Sequence, residues 1–118
     1  MDDAAELLPG PKMNALVAGL MGWKVLGCNE RFAYGAPPGS RNRSIIPRYC
    51  DHIDSAFEME TFVLSSDARE TYIEILSERV LPAGAERHEA EHLISLAHAS
   101  PLERCRAAIR ALRRAAKA

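Results

Sequence analysis

The spacing of apolar and polar positions predicts a helix near each end of the chain. From Pro11 to Met21 the apolar side chains recur at the interval of one helix face, and Gly22 suits the stop. Near the other end, Ser100 is a predicted N-cap and Pro101 a predicted first helical residue. The predicted buried stripes are Met13, Leu16, Val17 and Leu20 in the first helix, and Leu102, Cys105, Ile109 and Leu112 in the last.

The middle of the chain gives a weaker pattern. A further helix is predicted from Asp51, whose carboxylate can accept backbone N–H groups at a helix start. Its apolar stripe is Ile53, Ala56, Phe57 and Leu64. Residues 71–80 combine strand-favouring side chains with a helical stripe, and residues 93–97 are ambiguous in the same way. Periodicity alone leaves strand and helix open for both segments.

Residues from about 27 to 47 follow neither period and are rich in Gly, Pro, Ser and Asn, so we predict a long irregular loop. Arginine and aromatic side chains gather there. Guanidinium groups pair with phosphate oxygens and aromatic rings stack on bases, which makes a nucleotide-like ligand one interpretation and a solvated loop the other. The candidate ligand-binding residues are Trp23, Arg31, Tyr34, Arg41, Arg43, Arg48 and Tyr49. For Trp23 we favour an anchor of the core, with a stacking wall for a planar ligand as the alternative.

Composition is that of one globular domain covering residues 1–118. The 118 residues are 47% hydrophobic and 26% charged, which suffices for a core of its own. The three cysteines are scattered and form no C-x-x-C pair, so we expect a reducing cytoplasm, with Cys105 as a buried apolar side chain. Because no apolar run approaches the length of about 20 residues that spans a bilayer, we expect no membrane insertion.

The net charge of −1 conceals a basic C-terminal segment. Apolar residues alternate with its arginines at helical spacing, which favours a solvated helix face over a nucleic-acid-binding tail.

One motif has the form of a metal site. Residues 88–92 read His-Glu-Ala-Glu-His, and His98 stands where metzincin proteases place a third zinc ligand. On a helix, His88 and His92 would share a face and Glu89 would act as general base. Ser95 replaces the glycine of that family and no methionine follows Phe62 to form its methionine turn. We therefore favour surface histidines, with a minimal zinc hydrolase as the alternative.

Three blocks in order resemble the phage ABA-sandwich family. They are residues 10–18 running into Met21-Gly22-Trp23, then Pro47-Arg48-Tyr49 with residues 51–57, and finally residues 100–108. The resemblance implies an α+β fold, an α/β/α three-layer sandwich with helices flanking a short antiparallel sheet. It would make residues 71–80 and the region of Leu93 strands. An all-α fold is the alternative.

The resemblance also implies a role. Members are small phage or prophage proteins that bring no catalytic residues to carry over, so we expect a non-enzymatic accessory protein without a cofactor. Its expected partner is a host protein or a nucleotide-like small molecule, consistent with a counter-defence factor in the bacterial host cytoplasm. We also expect self-association into a homo-oligomer, because small sandwiches leave a sheet edge or helix flank uncovered.

Overall fold

A computed structural model of the chain describes residues 9–80 and 99–117. These residues form helix α1 (Pro11–Leu20), strands β1 (Lys24–Cys28), β2 (Ala33–Ala36) and β3 (Ser44–Ile45), and helices α2 (Ile53–Leu64), α3 (Arg69–Val80) and α4 (Pro101–Lys117). The strands form one antiparallel sheet in the order β1-β2-β3. The α+β fold class is confirmed and the all-α alternative is wrong.

The terminal helices begin and end as the sequence predicts. In α1, Pro11 occupies the first turn, and Gly22, just beyond the helix, has a φ of 101° that favours glycine. In α4, the Ser100 Oγ accepts a hydrogen bond from the Glu103 backbone N–H at 3.1 Å, which is the geometry of an N-cap. Cys105 and Ile109 are fully buried, so the predicted core side of α4 is confirmed.

Helix α2 differs from its prediction in start and orientation. It begins at Ile53 with no side-chain cap. The Asp51 carboxylate instead accepts a hydrogen bond from Arg48 Nε at 3.4 Å, so the capping role predicted for Asp51 is wrong. Ala56, Met59 and Val63 form the buried side. Of the predicted stripe, Ala56 is buried and Leu64 packs against the core, whereas Ile53 and Phe57 are exposed. The buried side of α2 is therefore rotated from the predicted one and includes Met59 and Val63.

Residues 69–80 are a helix, which makes the strand implied by the family resemblance wrong for residues 71–80. Tyr72, Ile75 and Leu76 are all buried, whereas Ile73 is exposed. This is the three-and-four spacing of one helix face rather than the alternation of a strand. Residues 93–97 lie outside the described residues.

The long irregular loop predicted at about 27–47 is also wrong in its extent. That segment contains the end of β1, all of β2 and all of β3. Short strands such as Ser44–Ile45, together with glycines inside β1 and β2, give no clear alternation in the sequence. The irregular stretches are the two connections, residues 29–32 and 37–43.

Helix α1 contacts β1, β2 and α4, while α4 also packs against α2 and α3. The buried apolar side chains form one cluster that reaches from α1 to α4. Three alanines on α4, Ala107, Ala108 and Ala111, are fully buried and allow the other helices to approach closely. Among the described contacts, α1 is the helix that lies against the sheet. The three-layer arrangement stays a prediction.

A buried ion pair joins α2 to α4. Arg104 Nη1 donates to Glu60 Oε2, and Arg104 Nε donates to the Ala99 carbonyl at 3.1 Å. The Tyr72 hydroxyl donates to the same carboxylate oxygen at 2.6 Å, and burial together with this bond raises the pKa of Tyr72. The Arg104 guanidinium also lies 5.0 Å from the centre of the Phe57 ring. Arg104 is thus a core residue, unlike the solvated arginines predicted for this helix.

No helix within residues 9–80 and 99–117 combines the length and apolar character needed to cross a membrane.

Candidate functional site on the outer face of the sheet

The two faces of the sheet have different surroundings. Val25 faces α1, since a Cβ atom at Gly19 would lie 3.8 Å from its Cγ2. Gly35, its cross-strand partner, belongs to the same face. The pairing register then shifts between Val25 and Gly27, so that Leu26 forms a bulge. Because the bulge adds one residue, Gly27 does not return to the face of Val25 as it would in a regular strand. Gly27 therefore faces the opposite side, which we call the outer face.

Tyr34 is the centre of the outer face. It pairs with Gly27 on one neighbouring strand and with Ile45 on the other. Its side chain lies across Gly27, because a Cβ atom at that position would be 2.8 Å from the tyrosine hydroxyl oxygen. Ile45 is 62% exposed, the most open large apolar side chain described. The absent side chain at position 27 leaves room for the ring to lie on the sheet.

Phe32 extends this aromatic surface. Its ring packs edge-on against Tyr34, with centroids 6.4 Å apart and planes at 63°. The turn before β2 holds it there: Asn29 Oδ1 accepts hydrogen bonds from the backbone N–H groups of Arg31 (2.8 Å) and Phe32 (2.9 Å). Phe32 is nonetheless 39% exposed. The exposed Phe32 ring and the half-buried Tyr34 ring beside it form a surface on which a planar group can stack.

Cationic side chains are frequent in the sheet and its connections. Lys24 pairs with Ala36, two residues along β2 from Tyr34, and so shares the outer face. Arg31 lies beside Phe32 in the turn, and Arg43 stands two positions before Ile45; all three cations are exposed. Residues 24–48 hold one carboxylate, Glu30, against five cationic side chains: Lys24, Arg31, Arg41, Arg43 and Arg48. A chain with a net charge of −1 therefore concentrates positive charge around its sheet.

Glu30 and Arg31 also line, with Asn29, a shallow and open concavity of about 320 Å³ at the tip of the β1–β2 hairpin. Its three lining residues immediately precede Phe32 in the chain.

Two predicted ligand residues belong to the core instead. Tyr49 is 3% exposed, and burial, followed by the nearby Glu58 carboxylate, raises its pKa to about 12 against a smaller lowering by a hydrogen bond from Trp23. A ring buried in this way offers no face to a ligand, so the prediction that Tyr49 lines a binding surface is wrong. Trp23 is half-buried and packs against the core cluster, in agreement with its reading as an anchor.

The remaining predicted residues divide into two groups. Tyr34 lies in β2, and Arg31 and Arg43 lie in the connections just before β2 and β3. Arg48 lies in the turn before α2 and pairs with Asp51. Arg41 is exposed in the connection between β2 and β3. The sequence prediction omitted Lys24, Gly27, Phe32 and Ile45 from its binding residues. The alternate spacing of Phe32 and Tyr34 is the one signal that could have indicated a shared strand face.

The histidine motif cannot be placed on this surface. Glu89, His88, His92 and His98 all lie outside the described residues. Within residues 9–80 and 99–117, no three His, Cys, Asp or Glu side chains are grouped as a metal ion would require.

Comparisons with known proteins add no relative. No protein-family model matches the chain, and no curated protein or solved structure matches it significantly. The kinship with the phage ABA-sandwich family stays a prediction.

Proposed function

We propose that the protein is a non-enzymatic binding protein that takes a nucleotide-like ligand on the outer face of its sheet. The observation that carries this proposal is the contact between the exposed Phe32 ring and the half-buried Tyr34 ring, with the exposed cations Lys24, Arg31 and Arg43 in the same strands and their connections. Rings and cations of this kind bind a ligand without reacting with it. The resemblance to phage accessory proteins supports a counter-defence role in the bacterial cytoplasm, in which the bound nucleotide is a sequestered signal.

The chemistry of the surface matches both parts of a nucleotide. A base can stack on the ring of Tyr34 or Phe32, and such stacking contributes about 1–3 kcal/mol per base. Arginine donates paired hydrogen bonds to phosphate oxygens, while lysine adds a point charge. Ile45 offers an apolar wall next to Tyr34. A ligand with only one of these parts, such as inorganic phosphate, would use half of the surface.

Isothermal titration calorimetry tests the proposal. Adenosine monophosphate, a cyclic dinucleotide and a short single-stranded oligonucleotide are titrated into the full chain at low and raised salt. We expect at least one to bind, with an affinity that falls as salt screens the arginine contacts. The preferred compound distinguishes a small signal from a strand of nucleic acid.

Three variants define where the compound binds. Tyr34→Ala removes the stacking ring and should weaken binding about 10-fold to 100-fold, since each 1.4 kcal/mol is a factor of ten. Tyr34→Phe keeps the ring and should bind as the wild type does. Ile73→Ala changes an exposed apolar residue on α3 and is the matched control. Equal affinity for wild type and Tyr34→Ala, or no binding of any compound, would contradict the proposal.

A further inference from the structure

The tip of the β1–β2 hairpin is a short turn that hydrogen bonds close twice. The Asn29 backbone N–H donates to the Phe32 carbonyl at 2.9 Å. The Asn29 side chain adds to this closure, because its Oδ1 accepts the backbone N–H groups of Arg31 and Phe32. The backbone from which the tip side chains project is thus fixed before a ligand arrives, which lowers the entropic cost of binding there.

Three side chains of this turn, Asn29, Glu30 and Arg31, line the concavity at the hairpin tip. Its volume of about 320 Å³ is at the lower end of the range of roughly 300–1,000 Å³ that small-molecule sites occupy. All three residues are exposed. The concavity therefore suits a group of the size of one base rather than a whole dinucleotide.

Glu30 is the unusual member of this lining. It is the one carboxylate among residues 24–48, which carry five cationic side chains. In the part of the chain that the structure describes, Glu30 forms no ion pair with Arg31 or with another side chain. A carboxylate repels the phosphate of a nucleotide. Glu30 therefore suits such a ligand only where it meets hydrogen-bond donors, and those donors belong to the base.

Asn29 offers donors beside that carboxylate. Its Oδ1 is occupied by two backbone N–H groups of the turn. An asparagine amide also carries two N–H donors on Nδ2, and these are what the side chain has left for a ligand. The concavity thus presents the acceptor oxygens of Glu30 next to the amide donors of Asn29.

Guanine is the base whose base-pairing edge matches this combination. The edge carries two adjacent donors, N1–H and N2–H₂, followed by the acceptor O6. A carboxylate accepts two parallel hydrogen bonds of this kind from an arginine fork. Adenine has the acceptor N1 and the donor N6–H₂ at the corresponding positions, so its lone pair would face the carboxylate and its donor would face the amide donor. Neither cytosine nor uracil has two adjacent donors on this edge.

We propose that the hairpin tip selects guanine as the base of the bound nucleotide, with Glu30 accepting from N1–H and N2–H₂ and Asn29 donating to O6. This inference rests on the proposed function, since it names the base of the same ligand. The exposed Phe32 ring belongs to a residue two positions from Glu30, and Cα atoms at that separation lie within about 7 Å of each other. A base that stacks on Phe32 is therefore within reach of the concavity.

Calorimetric titration of the full chain with guanosine, inosine and adenosine monophosphates (GMP, IMP and AMP) tests this selection. The three compounds share their sugar and phosphate, so differences in affinity come from the base. We expect GMP to bind about 10-fold more tightly than AMP, as hydrogen bonds to a charged acceptor allow. IMP keeps N1–H and O6 but lacks the 2-amino group, and it should bind with intermediate affinity. Thymidine pentanucleotides with a central guanine or a central adenine show whether guanine is bound as a free nucleotide or within a strand.

Two substitutions at the tip test the assigned contacts. Glu30→Gln keeps the size of the side chain but replaces one acceptor oxygen by a donor, so the GMP-to-AMP affinity ratio should fall to about one while AMP binds no more weakly than to the wild type. Asn29→Asp keeps the oxygen that closes the turn and removes the donors, which should shift the ratio toward AMP, since a carboxylate accepts from N6–H₂. Glu74→Gln, at an exposed position of α3, is the matched control and should leave the ratio unchanged.

The ratio of affinities separates this inference from the proposed function. Equal affinity of the wild type for GMP and AMP would overturn the selection of guanine while the proposed binding face stands. A guanine preference that survives Glu30→Gln would overturn the role of Glu30. If none of these compounds binds, the inference fails together with the proposed function.

Discussion

Tyr49 is buried in the core near Trp23 and Glu58, and this burial makes stability depend on alkaline pH. Its pKa is about 12 in the folded chain, against an ordinary value of 10.0. Below pH 10.0 the Tyr49 hydroxyl keeps its proton in both the folded and the unfolded chain. Between the two values the unfolded chain has lost the proton and the folded chain keeps it, so the free energy of unfolding falls as pH rises.

We predict that this fall amounts to about 3 kcal/mol from Tyr49, because one pKa unit corresponds to about 1.4 kcal/mol. Tyr49→Phe should remove that part of the pH dependence, which urea unfolding on either side of the pH window would measure. Tyr72, whose pKa is also raised, contributes in the same direction and remains in the variant. An unchanged slope in Tyr49→Phe would mean that this hydroxyl does not titrate differently in the two states.

Single residues also explain what the sequence could and could not predict about the site. Arginine and aromatic side chains mark residues 31–49 as chemically suited to a nucleotide-like ligand, and Tyr34 and Arg31 do lie at the sheet. Burial of Tyr49 was not predictable, because an aromatic side chain suits a core as well as a ligand surface. The position of Tyr34 over Gly27 depends on cross-strand register, which a bulge shifts and which no local pattern encodes.

At the scale of elements, the helices with the clearest caps were predictable and the strands were not. Ser100 with Pro101 and Pro11 with Gly22 carry local signals that determine helix ends. Strand β3 has two residues, too few for an alternation to be visible. The sequence of α3 was ambiguous, since Tyr72 and Ile75 suit a strand as well as a helix. Packing against α4 favours the helix.

The pairing of β1 with β2 depends on Gly35. A Cβ atom there would lie 2.4 Å from the Lys24 carbonyl oxygen and 3.0 Å from the Val25 Cα. Because both are backbone atoms, Gly35→Ala must push the strands apart, and we predict a loss of about 1–3 kcal/mol in stability, measured by urea unfolding.

Gly27→Ala is the matched control for that substitution. The atom it meets is the hydroxyl at the free end of Tyr34, which can move away. We therefore expect a smaller loss of stability but a displaced ring and weaker nucleotide binding. Equal destabilisation by the two substitutions would contradict the assigned register.

The ion pair between Glu60 and Arg104 connects α2, α4 and, through Tyr72, α3. The Arg104 side chain is 4% exposed and the Glu60 side chain is 20% exposed. Glu60→Ala leaves a buried guanidinium without its carboxylate, and we predict a cost of about 2–4 kcal/mol in thermal or urea unfolding.

Replacing both partners by methionine should restore much of that loss, since apolar side chains of similar volume substitute well for a buried ion pair. Glu74→Ala, at an exposed position of α3, is the control and should stay within about 0.5 kcal/mol of wild type. A double variant as unstable as Glu60→Ala would show that the loss comes from packing rather than from removal of the Glu60 charge.

At the scale of the whole molecule, the helices form most of the core and the sheet carries the proposed binding face. All four helices contribute side chains to the buried cluster, and α1 also packs against the sheet. The sheet turns Val25 and Gly35 toward α1 and leaves Phe32 and Ile45 exposed on either side of the half-buried Tyr34. The sequence predicted this division only as an α+β class, because the assignment of faces depends on contacts between distant residues.

The most direct test of the proposed binding face is an NMR titration of amide shifts with adenosine monophosphate and with a cyclic dinucleotide. We predict that one of the two moves the amide resonances of Gly27, Phe32, Tyr34 and Ile45, while those of α3 and α4 stay in place. Shifts confined to the arginines of α4, or no shifts with either compound at millimolar concentration, would contradict the account.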